Sequence, residues 1–172
     1  MTETNIGTIV RPMNLEDLDA VFSIDHKIRG IGQTITYANL TTERIFTINR
    51  HVGLLAKPVS YVDLITGDIS ELLANALVAE IEGHVRGFIL GRVDNVGEFA
   101  SELGRIVIIG VHPDYQRKGI ATGLVNKLCA NFRSRGIKRV RIDVDQRDKH
   151  LLDFVERLEF DVGHLISYSK VL

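Results

Sequence analysis

Residues 103–128, LGRIVIIGVHPDYQRKGIATGLVNKL, constrain the fold of this chain more than any other stretch. The first nine are rich in Ile and Val, as in a strand buried on both faces. Pro113 then ends ladder pairing, and Ile120, Ala121, Leu124, Val125, Leu128, Cys129 and Phe132 recur at helical spacing. A helix therefore begins near Gly119 and closes by Gly136. With KRVRIDV reading as the next strand, this strand–helix–strand order implies a right-handed crossover between parallel neighbours.

The flanking segments fill out a mixed sheet. GTIVRP reads as a strand ended by Pro12, and Asn14 as the N-cap of a helix over about Leu15 to Ile28, with Leu15, Leu18, Val21, Phe22 and Ile28 on one stripe. Thr41 or Thr42 caps a second helix to about Ala56, and YVDLITGDISELLA reads as loop with a short helical turn. ALVAEIE and VRGFILGRV form a hairpin about Gly83-His84, followed by a polar loop, DNVGEFAS. Gly110 marks a bulge or a place where something approaches the backbone closely. A helix over about Lys149 to Leu158 and two strands, FDVGH and ISYSKVL, complete the order β, α, α, β, β, β, α, β, α, β, β. The expectation is one α/β domain over residues 1–172, with a single mixed, mostly antiparallel twisted sheet flanked by helices.

Composition limits what such a domain binds. A net charge of −1 gives no global reason to expect nucleic acid or an anionic membrane, so an anion site must be local. No apolar run approaches the roughly 20 residues of a membrane span, and MTETNIGTIV lacks a signal core, so a cytoplasmic location is expected. Cys129 has no partner cysteine and sits on the apolar stripe of its helix, which reads as packing. The six histidines lack an HExxH pattern, so no metal is expected. Arg133, Arg135, Lys138, Arg139 and Arg141 read as a solvated helix end and strand face, one of them a candidate for an outlying phosphate.

At the start of the helix after Gly119 the first amides lack intrahelical partners and the dipole places positive charge there. Gln116, Arg117, Lys118, Gly119, Ile120 and Ala121 add two cations, a glycine with no Cβ and a small first turn. That composition suits a pyrophosphate. The glycine spacing matches neither a P-loop nor a dinucleotide fingerprint.

The stretch VHPDYQRKGIATGLVNKL resembles the acetyl-CoA-binding motif of the GNAT superfamily of N-acetyltransferases: Gln or Arg, two residues, Gly, one residue, then Gly or Ala. Gln116, Gly119 and Ala121 fit, and the elements around them follow the family's order. The resemblance implies a GNAT-like fold with a splayed central strand. It implies backbone amides from Arg117 through Ala121 on the diphosphate, and a strand end at Ile109, Gly110 and Val111 pairing with the pantetheine arm. Asp148 and Phe154 are further cofactor contacts, and Val111 N–H the donor to the thioester oxygen. It implies acetyl transfer from acetyl-CoA to an amine of a small molecule or protein, with a homodimer left open.

The second motif of the family departs here. In DKHLLDFVERLEF, Asp148 stands at its Asn, Val155 at its Tyr, Glu159 at its Gly and Phe160 at its Phe, so no general acid carries over. A thiol with a pKa near 8.5 already leaves well as the thiolate. Tyr61, Tyr115 and Tyr168 are alternative acids. Glu98 and Glu102 are candidate bases, because Arg105 occupies the strand position where some members carry a glutamate. His112 reads as structural. The alternative to an enzyme is a CoA-binding sensor, or an interaction domain whose loop only resembles a cofactor site. The substrate loops, about 29–39, 59–73 and 94–101, carry no readable signature.

Overall fold

The computed structural model describes residues 7–30, 73–96, 101–144 and 146–163. The expected helix from Thr41 to Ala56, the segment 59–72 and the strand ISYSKVL lie outside them. A five-stranded sheet is described: β1 (Thr8–Pro12), β2 (Ala76–Ile81), β3 (His84–Val96), β4 (Ser101–Val111) and β5 (Val140–Ile142). They lie in chain order, and each neighbouring pair is antiparallel except the last, β4 and β5, which run parallel. Helix α1 (Leu18–Gly30) packs on one face and α2 (Ile120–Ser134) on the other, with α3 (Lys149–Arg157) after β5. No helix among these residues is long and apolar enough to cross a membrane.

Strand alternation sorts the core into two layers. Val78, Phe88, Leu90 and Ile108 meet Val21, Ile24 and Ile28 of α1. Leu77, Ala79, Ile89, Ile106 and Ile109 meet Ile120, Leu124, Leu128 and Phe132 of α2. The fully buried Phe132 ring lies so close to the sheet that a Cβ would come within 2.9 Å of it at Gly91 and 2.7 Å at Gly104. Those two glycines let the aromatic ring rest on backbone, which seats α2 against β3 and β4.

Several boundaries differ from the sequence expectation. The hairpin turn is Glu82-Gly83, both with positive φ (51° and 75°), and His84 already pairs with Ile81. Two left-handed residues are what a two-residue hairpin requires to match strand twist. The first helix opens as a 3-10 turn, Leu15–Asp17, and Leu15 is solvent-exposed rather than part of the apolar stripe. Asp94, Asn95 and Val96, expected in the polar loop, belong to β3, and Ser101 belongs to β4. The strand in KRVRIDV is only Val140–Ile142, and residues 160–163 form no strand.

Arg11 fastens β1 to that opening turn. Its Nη1 and Nη2 donate to the two oxygens of Asp17 at 2.7 and 2.9 Å, and its Nε donates to Glu80 at 2.9 Å. The Asn14 amide also donates to Asp17. The Arg11 hydrogen bonds outweigh burial and hold the Asp17 carboxyl below the usual carboxylate range.

Candidate active site

The sheet opens into a fork between β4 and β5. Gly104, Arg105 and Ile106 pair with Val140, Arg141 and Ile142, and beyond Ile106 no further β5 residue pairs with β4. The change coincides with a β-bulge. Leu90 faces Ile108 and Gly91 faces Ile106, leaving Val107 as the extra residue. The bulge is therefore at Val107, and of the two readings of Gly110 the close approach to the backbone holds. Gly110 has a packing reason: a Cβ there would stand 2.6 Å from the buried Phe88 ring.

One extra residue reverses which backbone groups look into the fork. Before the bulge, Gly104 N–H donates to Arg139 O on the β5 side. After it, His112 N–H donates to Arg86 O of β3. By alternation the amides and carbonyls of Ile109 and Val111 point away from β3, into the open fork. The Val111 carbonyl is met there by the Gln116 side chain, whose Nε2 donates to it at 3.1 Å. Gln116 thus ties the loop to the end of the strand, while Ile109 and Val111 direct amides into the gap.

The loop that follows is shaped to hold an anion. A 3-10 turn, Pro113–Tyr115, leads to Gln116 in extended conformation, then Arg117 at φ 63° and Gly119 at φ 78°. Left-handed residues on either side of Lys118 turn neighbouring amides toward one concavity, at the amino end of the 15-residue α2. A Cβ at Gly119 would meet nothing within 4 Å, so that glycine is needed for its backbone conformation and not for packing. Arg117, Lys118 and Gly119 are exposed, Ala121 is half-buried and Ile120 is anchored in the core. The two cations differ in placement. Lys118 turns back, donating to the Asp114 carbonyl at 3.0 Å with its Nζ 4.8 Å from the centre of the Tyr115 ring. Arg117 enters no ion pair among the described residues and is the cation facing outward. From Tyr115 to Ile142 there are eight Lys and Arg and no Asp or Glu, so α2 carries a positive field that the whole-chain charge conceals.

These features fit the diphosphate and arm of CoA: amides without helical partners, open space before a glycine, an outward arginine, and a strand edge on which two amides turn away from β3. Other expected residues take different places. Of the basic set, Arg133 and Arg135 lie at the far end of α2, roughly 20 Å from Gly119 at 1.5 Å per residue, and Arg141 stands in β5 opposite Arg105. Asp148 caps α3, its Oδ1 accepting from Leu151 N–H at 3.1 Å, and Phe154 packs against the α2 core layer. Val155 is buried. Cys129 is half-buried and burial pushes its thiol up, in keeping with packing. Tyr115 is flanked by Arg86, 4.6 Å from its ring centre, and by the edge of His112. Tyr61, Tyr168 and Glu98 lie outside the described residues.

His112 is buried beside Lys27, whose Nζ is 2.9 Å from Nε2. Burial and then Lys27 lower its pKa by more than Asp114 raises it, with Arg86 adding a smaller lowering, so it stays neutral near pH 7. Its side chain fastens the turn to α1. Glu102 is exposed at the opposite end of β4, paired with Asn95. Nine residues of strand place it roughly 30 Å from Val111, so the fold does not bring these two together.

A feature not read from the sequence stands where the fork closes. Arg92 and Asp94 of β3 and Arg105 of β4 share the face opposite α2. Arg92 Nε donates to Asp94 Oδ1 and Arg105 Nε to Asp94 Oδ2, both at 2.7 Å, and Arg105 Nη1 reaches Asp143 Oδ2 beyond β5 at 2.7 Å. The two guanidiniums hold Asp94 below the usual carboxylate range against the desolvation that would raise it, so it is a poor base.

Residues 45–160 match the acetyltransferase (GNAT) family. The chain belongs to that family. A relative, the acetyltransferase ECA0875 of Pectobacterium atrosepticum, is 29% identical over 96 residues, covering 56% of this chain and 64% of its own length. The fold matches an aminoglycoside acetyltransferase, meta-AAC0020, from an uncultured soil metagenomic sample, solved with trehalose, at TM-score 0.67 and 14% identity over 99% of both chains. It also matches AAC(6')-Iy, solved with a bisubstrate analogue, CoA-S-monomethyl-acetylneamine, at TM-score 0.64 and 16% identity over 96% of this chain and 99% of that one. The mixed sheet flanked by helices is the GNAT fold.

Proposed function

We propose that the whole chain is one acetyl-CoA-dependent N-acetyltransferase acting on a primary amine. The observation that carries this reading is the joining of two features at one end of α2. The anion-holding loop, 117–121, adjoins a strand edge whose Ile109 and Val111 amides face an open fork. Acetyl-CoA supplies an activated thioester. Arg117 and the loop amides hold its diphosphate, and the β4 edge aligns its arm as an added strand. Val111 N–H donates to the thioester oxygen as charge develops there, an effect worth several kcal/mol when the donor is preorganised. As the amine nitrogen bonds to the acetyl carbon, the carbon–sulfur bond breaks, CoA leaves as the thiolate, and the amine proton passes to water. The family tyrosine is not needed for that departure, because the thiolate is a competent leaving group.

Incubation of the full chain with acetyl-CoA and a broad amine panel, read by mass spectrometry, tests this. Acetylated amine and free CoA in equal amounts are expected. CoA binding without any acetylated product would favour a sensor of the same fold, and absence of CoA binding would remove the reading.

A further inference from the structure

We infer that Lys27 is an acetylation site of this chain, its side-chain amine made nucleophilic by His112. This is a role for the chain as acceptor, and it does not depend on which free amine the chain acetylates. His112 is 6% exposed, and each of its ring nitrogens faces a nitrogen that carries protons. Nδ1 accepts from the Asp114 amide at 3.3 Å, the bond that caps the 3-10 turn, and Nε2 lies 2.9 Å from Lys27 Nζ. A neutral imidazole has one acceptor nitrogen and one N–H. With Nδ1 accepting, the N–H is on Nε2, and the Lys27 amine receives it through its lone pair.

The charges around the ring favour that arrangement. Lys27 faces it from α1, Arg86 from β3, and Asp114 and Tyr115 from the turn. Asp114 is the one carboxylate in this set, 3.8 Å from Nδ1 and 82% exposed. The Arg86 guanidinium and Lys118 Nζ both lie against the Tyr115 ring. A Lys27 ammonium would add to these cations beside a solvated carboxylate, whereas the free amine adds no charge. Among the described residues Lys27 pairs with no carboxylate that would hold its charge, and the residue is exposed, so an acyl donor can reach it. Lys27 Nζ bonds to the acetyl carbon of acetyl-CoA, the carbon–sulfur bond breaks, and the departing thiolate takes the proton that Nζ gives up. The product is an uncharged amide whose nitrogen has no basic lone pair to meet Nε2–H, so acetylation parts α1 from the turn.

The test exposes the full chain near pH 7 to limiting acetic anhydride, and separately to acetyl-CoA, and locates the modified lysines by mass spectrometry. Lys127 and Lys138, both exposed and without an ion pair among the described residues, are the internal standards. Lys27 should react with the anhydride at least tenfold faster than either, and should be the first of the three acetylated by acetyl-CoA. His112→Gln should bring the Lys27 rate to within twofold of Lys127. If that variant does not fold, nitrogen magnetic resonance of the imidazole carries the test, with Nδ1 unprotonated and Nε2 protonated as the expected tautomer. The anhydride labels by amine reactivity alone, so these outcomes stand whether or not free amines are acetylated. A Lys27 rate less than tenfold above the standards, fast labelling by anhydride with no acetylation by acetyl-CoA, an advantage that the folded His112→Gln variant retains, or the opposite tautomer would overturn the inference.

Discussion

Replacing Gly119 with alanine separates the cost of a backbone conformation from the loss of a ligand contact. At φ 78° an L-residue pays the left-handed penalty of about 1–2 kcal/mol, and because the added Cβ meets nothing within 4 Å there is no packing term. For a chain of this size that corresponds to a fall in Tm of roughly 2–8 °C. Binding should suffer more, because the methyl projects into the space that a diphosphate must enter. Losing one charge-assisted hydrogen bond at about 1.5–3 kcal/mol weakens CoA roughly 10- to 150-fold. Gly104→Ala provides the contrast. Its Cβ would stand 2.7 Å from Phe132, so overpacking costs about 1–3 kcal/mol at a site remote from the loop. Thermal melts and calorimetric titration with acetyl-CoA, both below the melting range, check the pair. Gly119→Ala should lose affinity with a small Tm change, and Gly104→Ala should lose Tm while retaining affinity within twofold. Equal losses of affinity in the two variants would refute the reasoning, because the effect would then follow stability rather than contact.

Phe132→Ala removes the ring that fills the space over Gly91 and Gly104, and should cost about 3–5 kcal/mol in denaturant unfolding. Glu102→Gln should change kcat by less than twofold, since the fold holds that carboxylate away from Val111; a tenfold loss would show that it takes part. The Arg11–Asp17 pair contributes stability that is fully present above the ordinary carboxylate pKa and is lost as pH falls through the depressed value of Asp17. Asp17→Asn should therefore destabilise the chain at pH 7 by about 1–3 kcal/mol and flatten the fall in unfolding free energy below pH 4, measured by urea titration at several pH values.

The junction from β4 to α2 was legible because hydrophobic period changes there from that of a strand to that of a helix, with a proline between. The bulge at Val107 was not. Ile106, Val107, Ile108 and Ile109 are all β-branched and all buried, so a one-residue slip leaves no trace in polarity. The sequence points to a turn one residue late because Gly83 is its only glycine, whereas Glu82 also takes the left-handed conformation. The Arg92–Asp94–Arg105 cluster stayed hidden for a topological reason. Asp94 and Asn95 look like loop residues in sequence, and only the register of β3 on β4 sets Arg92 opposite Arg105. The composition of the loop from Arg117 to Ala121 was readable, but the division of labour between its cations was not, because Lys118 finds its partners on the preceding turn.

Amide-resolved nuclear magnetic resonance, with the isotopically labelled chain titrated with CoA, tests the central claim most directly. The amides of Ile109 and Val111 and those from Arg117 through Ala121 should shift together and saturate at one affinity, while Glu102 at the far end of β4 stays still. Saturable CoA binding that shifts other amides and leaves those of the fork edge and loop unmoved would contradict the account.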